Sequence, residues 1–132
     1  MTLKILLALH AVTSTLALPP GLLSAVCYVE SHWTATAINP HDGGSASFGV
    51  CQVKYETAQT VLKAIGPINL MDPEVNIKVA GTYLKHQIDR YPHDVRAAVA
   101  AYNAGKCRYN NRKLIMNRRY VAKVFKAWGE YK

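Results

Sequence analysis

No apolar run in this chain of 132 residues reaches the ~18 that a membrane-spanning helix needs. That excludes a polytopic membrane protein. The length holds one domain, which excludes a dinucleotide-binding fold carrying a separate substrate domain. A chain of this size buries roughly two thirds of the surface it exposes when unfolded, so it can hold a core unaided. Cysteine is scarce. There are three, Cys27, Cys51 and Cys107, with no CxxC and no HExxH, and an odd count fits no closed disulfide framework. His32, His41, His86 and His93 lack metal-ligand spacing, so neither a metal nor a cofactor is expected. A Gly-Lys-Ser/Thr phosphate loop is missing, and so is a G-x-S-x-G elbow, which leaves Ser45 and Ser47 weak candidates for a nucleophile.

Acidic residues are few as well, 8 against 16 Lys and Arg, for a formal net charge of +8. The imbalance is local. Residues 1–105 carry seven basic and seven acidic side chains, whereas residues 106–132 carry nine basic ones and a single acid, Glu130. A basic final segment is either a solvated helix face or an attraction to a polyanion: nucleic acid, anionic membrane, or an envelope rich in phosphate and carboxylate. Aromatic interleaving there is limited to Tyr109 and Tyr120 and no nucleic-acid motif is present, so no nucleic acid is expected.

What is present reads as helices. Residues 1–17 are either a signal peptide, with Thr15-Leu16-Ala17 as a cleavage site, or an opening helix packed on the domain. Pro19-Pro20-Gly21 punctuates the chain, and residues 22–32 form a helix with Leu22, Leu23, Val26 and Cys27 in one stripe. Residues 34–50 are expected to be a loop rich in Gly, Ser, Asn and Pro, long enough to be functional. A helix over 55–65 closes at Gly66-Pro67. Asp72-Pro73-Glu74 starts another that runs to about Tyr91, Asp94 caps a third that ends at Gly105, and a last one runs from about Asn117 to Tyr131. No alternating strand pattern stands out. The fold is mainly α. The apolar surroundings of Cys27 favour a buried free thiol, while a Cys27–Cys51 bridge in an oxidising compartment stays open.

The carboxylates sort by elimination. Asp72 and Asp94 are caps, Glu56 and Glu74 suit first turns, Asp89 pairs with Lys85 four residues earlier, and Glu130 sits in the basic tail. Two remain. Glu30 continues the apolar stripe of its helix, where burial raises a carboxyl pKa toward the range of a general acid. Its other reading is a buried acid bonded to backbone or to a tyrosine. Asp42, beside Gly43-Gly44, reads first as a turn residue.

Four blocks in order carry a resemblance: Glu30-Ser31 ending a helix; Phe48-Gly49-Val50-Cys51-Gln52; Asn76-Ile77 with Gly81, Tyr83 and Leu84; and Ala101-Tyr102-Asn103-Ala104-Gly105. With the tail Tyr120-Val121-Ala122-Lys123-Val124, the stretch from about 19 to 124 resembles the catalytic domain of the family 1 lytic transglycosylases, which is related to goose-type lysozyme. The chain's small size resembles versions carried by bacteriophages or specialised secretion systems.

The resemblance implies a lysozyme-like single domain, taken as 18–132, with the glycine-rich loop at its active site. It implies a peptidoglycan substrate, an envelope or periplasmic location reached by export or virion delivery, and a monomer whose basic tail meets anionic envelope components. Glu30 would be acid and base in a cleavage that yields a 1,6-anhydro sugar. Gln52 would line the sugar site, Tyr102 would approach the acid, and Asn39 would orient it, with Ser47 as the competing candidate. Tyr83 and Asn103 would stand behind them. The usual Gly-Leu-Met-Gln reads Gly-Val-Cys-Gln here, and the stretch from Glu30 to Gln52 is about four residues longer than the family's. That length leaves Asp42 available as a second carboxylate for a lysozyme-type hydrolase. A non-catalytic wall- or nucleic-acid-binding module is the remaining alternative.

Overall fold

The computed structural model describes residues 1–63 and 66–131. Six helices and one small sheet follow in the order α1 (Leu3–Thr15), α2 (Leu22–Ser31), β1 (Ile38–Asp42), β2 (Ser45–Phe48), β3 (Val53–Lys54), α3 (Tyr55–Leu62), α4 (Pro73–Arg90), α5 (Val95–Ala104) and α6 (Arg118–Tyr131). The last two residues of the helix expected over 55–65 lie outside the described residues.

Local chemistry sets the helix ends. The Asp72 carboxylate accepts from the N–H of Glu74 at 2.9 Å, and Pro73 opens α4. Asp94 does the same for Ala97 at 3.0 Å, and Gly105 ends α5 in a conformation with φ 86°. Lys85 and Asp89 pair at 2.7 Å along α4.

Helix α5 is buried along most of its length. Ala97, Ala98, Val99, Ala100 and Ala101 are each at most 1% exposed. Side chains this small let α4 and α6 approach α5 closely, and α2 in turn packs along α6. The apolar stripe of α2 (Leu22, Leu23, Val26 and Cys27) is buried as its spacing predicts, and so are Val121 and Val124 of α6.

Two expectations are corrected. Residues 34–50 are not a plain loop: β1 and β2 pair antiparallel about the Gly43-Gly44 turn, and β3 extends the sheet in the order β1-β2-β3. The strands escaped notice because β1 is exposed on both faces over residues 38–41, so no apolar alternation exists to read. Cys27 is not a free thiol. It is bridged to Cys51 across 24 residues, both sulfur-bearing residues being fully buried, while Cys107 remains free.

Helix α1 buries Ile5 and Leu9 and lies along α4, with Val12 against Gly81. A Cβ on Gly81 would stand 2.3 Å from a Val12 methyl carbon, so the glycine is what allows this approach. Burying two such side chains contributes about 4 kcal/mol. Deleting residues 1–17 is therefore expected to lower Tm by roughly 10–15 °C, read by circular dichroism or calorimetry. An unchanged Tm would mean that α1 adds nothing to the domain.

Candidate active site

The site is built around the C-terminal end of α2. His32 and Trp33 both take left-handed backbone angles, φ 54° and 59°, which turn the chain sharply after Ser31. Ser31 Oγ accepts from the N–H of Thr34 and donates to the carbonyl of Val50. The end of α2 is thereby tied to the segment that follows β2.

That segment, Phe48 to Gln52, is held from beneath by Asn76 of α4. The Asn76 side chain is fully buried. Its amide donates to the carbonyls of Phe48 (2.7 Å) and Leu70 (2.9 Å), and its oxygen accepts from the N–H of Cys51 (2.9 Å). Gly49 has φ 78°, and a Cβ there would fall 2.4 Å from the Asn76 amide nitrogen and 2.6 Å from the Leu70 carbonyl. No other residue fits that position without displacing the tether. The Cys27–Cys51 bridge adds a covalent link from the same segment to α2, one helical turn before Glu30.

A cleft of about 410 Å³ opens above this base. Its walls include Glu30, Asp42, Lys54, Tyr83, Tyr102 and Arg108, with Gln52 and Asn103 also facing it. Glu30 is half-buried, and burial is the main reason its carboxyl is pushed up to about 7. Asp42 repels a second negative charge and adds to the rise. The Tyr120 hydroxyl opposes it by donating to Glu30 Oε2 at 2.7 Å. Burial and the neighbouring Glu30 in turn hold the Tyr120 and Tyr102 phenols well above their usual range.

The expected site residues are distributed unevenly. Glu30, Gln52, Tyr83, Tyr102 and Asn103 all reach the cleft, and Asp42 joins them. Tyr83 and Tyr102 lie 5.3 Å apart in a tilted pair. The Tyr102 hydroxyl does not go to Glu30; it donates to the Cys51 carbonyl at 3.1 Å. Gln52 is satisfied internally: its amide donates to the carbonyls of Ala37 and Gly49 at 3.1 and 3.0 Å, and its oxygen accepts from Ser47 at 2.9 Å. Ser47 is fully buried and acts on Gln52, not on the cleft. Asn39 is exposed and outside the cleft wall, its oxygen accepting from the N–H of His41. The oxygen of Asn103 accepts from the side-chain amide of Asn117 at 2.9 Å.

Asp42 reaches the cleft through a register shift. Ile38 and Asn39 pair with Phe48 and Ser47, but Asp42, not His41, then pairs with Ser45. The bulge inserts one residue, and a slip of one residue exchanges the two faces of a strand.

Sequence reasoning missed Tyr120 as a partner of Glu30, along with Lys54 and Arg108. A signal for Tyr120 exists. It precedes Val124 and Trp128 at intervals of four, so it falls on the apolar face of the last helix. A buried tyrosine hydroxyl needs a partner, and Glu30 was the acid without one.

Comparison with known proteins now decides the family. The Transglycosylase SLT domain profile matches residues 9–123. The chain belongs to the transglycosylase SLT domain family. Membrane-bound lytic murein transglycosylase F of Photobacterium profundum is 32% identical over 90 residues, covering 64% of this chain and 16% of that protein. Its counterpart in Pseudoalteromonas translucida is 34% identical over 100 residues, covering 71% and 20%. The chain thus spans about a fifth or less of the curated relatives it matches. The structure of an inactive mutant of lytic transglycosylase Slt from Pseudomonas aeruginosa superposes on 94% of this chain and 23% of its own, with TM-score 0.75 at 20% identity. The SLT fold is therefore present here as a mainly helical unit with its small sheet.

Two outcomes check the electrostatics of this SLT domain. A carbon-detected NMR titration of Glu30 is expected to give a midpoint near 7, and Tyr120→Phe is expected to raise it, because the lost hydrogen bond favoured the carboxylate. A midpoint unmoved by Tyr120→Phe would contradict the bond. Stability is linked to the same shift. The folded pKa lies above the ordinary 4.5, so the folded state holds the proton more tightly. That contribution is complete below about 4.5 and is lost as pH rises through about 7. Glu30→Gln removes the loss, and at pH 8 it is expected to stabilise the protein relative to wild type by on the order of 2 kcal/mol, with little difference at pH 4. Denaturant melts at the two pH values measure this.

Proposed function

We propose that this protein is a lytic transglycosylase that cuts the β-1,4 bond between N-acetylmuramic acid and N-acetylglucosamine in peptidoglycan. The observation that carries the reading is the carboxyl of Glu30, half-buried in a cleft wall and poised near 7, in a chain of the SLT family. A protonated carboxyl at neutral pH can donate to the glycosidic oxygen as the C1–oxygen bond breaks. The resulting carboxylate then takes the proton of the muramic C6 hydroxyl while that oxygen bonds to C1. The ring closes as a 1,6-anhydro sugar, Glu30 regains its proton, and no water is consumed. Tyr120 supports the middle of the cycle by donating to the carboxylate. Glycosidases of the ordinary kind need two carboxylates. Here the substrate supplies the nucleophile.

One observation favours a second reading. Asp42 faces the same cleft, and its charge adds to the rise of the Glu30 pKa. A carboxylate there could direct water or trap C1, and the outcome would be hydrolysis.

An envelope location agrees with this substrate. It agrees also with the Cys27–Cys51 bridge, since disulfides persist in oxidising compartments. No helix among the described residues is long and apolar enough to cross a membrane.

Mass spectrometry of soluble products from purified peptidoglycan separates the readings. Anhydro-muramic ends support the transglycosylase, whereas reducing muramic ends move the assignment to a hydrolase. Glu30→Gln is expected to lower turnover by at least a hundredfold. A rate within a few fold of wild type would remove Glu30 from the mechanism. Wild-type activity should fall as pH rises through about 7, where the acid loses its proton. Asp42→Ala should move that fall to lower pH by removing a repelling charge; under the hydrolase reading it should abolish the reaction.

A further inference from the structure

Positive charge in this chain is concentrated where no acid offsets it. No Asp or Glu occurs between Asp94 and Glu130. The eight described Lys and Arg side chains from 106 to 126 are all exposed, and among the described residues none of them is in an ion pair. Self-repulsion of this kind destabilises the compact state, so the cations point to an anionic partner.

The stretch from 108 to 116 is a built hairpin. Tyr109 and Ile115 form an antiparallel bridge, with Asn110 N–H on the Leu114 carbonyl and Met116 N–H on the Arg108 carbonyl, both at 2.8 Å. The Asn110 side-chain oxygen accepts from the N–H groups of Arg112 and Leu114 and fixes the tip. Both ends are anchored. The Tyr91 hydroxyl accepts from the N–H of Cys107 at 3.0 Å, and the Asn117 amide donates to the Ala100 carbonyl at 3.0 Å. Arg118 Nη1 donates to the Ile115 carbonyl at 3.3 Å, which joins the first turn of α6 to the hairpin.

This scaffold holds apolar side chains in water. Ile115 packs on the core, so its neighbours Leu114 and Met116 fall on the opposite face of the ladder. Leu114 is 45% and Met116 58% exposed. Arg112 and Lys113 precede them in the tip and Arg118 follows, all three exposed. A soluble phosphate polymer would satisfy the cations and leave the two apolar side chains in water. A second copy of the chain would set one cluster of cations against another. An anionic lipid surface satisfies both features, with phosphates for the cations and the acyl boundary for leucine and methionine. The exposed Leu3, Leu6 and Leu7 lack this combination, because the one Lys of α1, Lys4, lies 3.9 Å from Glu74.

We propose that the hairpin 108–116, with the first turn of α6, docks the protein on an anionic phospholipid surface. Leu114 and Met116 enter the headgroup layer, and Arg112, Lys113 and Arg118 pair with lipid phosphates. Arg108, at the base of the hairpin, lines the cleft, so docking keeps the cleft beside the membrane. The proposal is independent of the transglycosylase reading, since vesicle binding requires neither murein nor turnover.

The test is sedimentation of the full chain with vesicles of phosphatidylcholine, alone or mixed equally with phosphatidylglycerol, at one ionic strength. Wild type is expected to bind the mixed vesicles at least about tenfold more tightly. Arg112→Ala with Lys113→Ala should weaken that binding roughly 25-fold, about fivefold for each lost cation. Leu114→Ser with Met116→Ser should weaken it about tenfold with the charge untouched. Leu3→Ser with Leu7→Ser should bind as wild type does. Each variant is compared at a temperature where circular dichroism shows it folded. Equal binding of wild type to both vesicles overturns the proposal. So does loss of binding in the α1 variant but not in the hairpin variants. If the Arg112/Lys113 variant loses binding and the Leu114/Met116 variant keeps it in full, the face serves a soluble polyanion such as nucleic acid, and docking on lipid is overturned.

Discussion

The buried amide of Asn76 is the interaction on which the rest of the site depends. It stands at the junction of three segments that share no helix: the end of β2, the turn before α4, and the backbone of Cys51. Each of its polar contacts is made where water is excluded, so removing it would leave buried partners unsatisfied at roughly 1–3 kcal/mol apiece. Everything above follows from that platform. Gln52 is placed by the carbonyls that the platform presents, Tyr102 finds the Cys51 carbonyl, and α2 is fastened to it through Ser31 and the disulfide.

The division of labour this creates is physical. Gln52 and Ser47 use their hydrogen-bonding capacity on the protein. They give the cleft a floor with fixed shape. Glu30 keeps one oxygen bonded to Tyr120 and is raised in pKa by its surroundings, so it is the group with chemistry left to offer. A backbone floor fixed by hydrogen bonds and a raised-pKa carboxyl above it would, under the proposed function, hold a reacting group near its target without reorganisation.

Much of this was legible in the residues, and for reasons that can be named. Asp72-Pro73, Asp94 and Gly105 announce helix boundaries because capping is local chemistry. Glu30 was legible because an acid on an apolar stripe contradicts its surroundings. The sheet was not, since β1 lacks a buried face over residues 38–41 and β2 has only four residues. The disulfide was not, since two cysteines 24 apart carry no geometry. The positions of Asn39 and Ser47 hinge on hairpin register, and that of Asp42 on a bulge, neither of which a loop composition encodes. Tyr120 and Glu30 meet across 90 residues, beyond the reach of any local pattern.

That last separation has a consequence for how the molecule breathes. The Cys27–Cys51 loop is covalently closed around the floor of the cleft, whereas Tyr120 belongs to the final helix and is held by packing. Elements held by packing alone can open locally where a crosslinked segment does not. Were α6 to lift, the crosslinked floor would stay in place while water reached Glu30, and its carboxyl would return toward the ordinary acidic range. The proton that Glu30 holds near neutral pH would then be lost before the cleft is. The raised pKa of Glu30 is thus a property of α6 docked on α2 as well as of the floor beneath it.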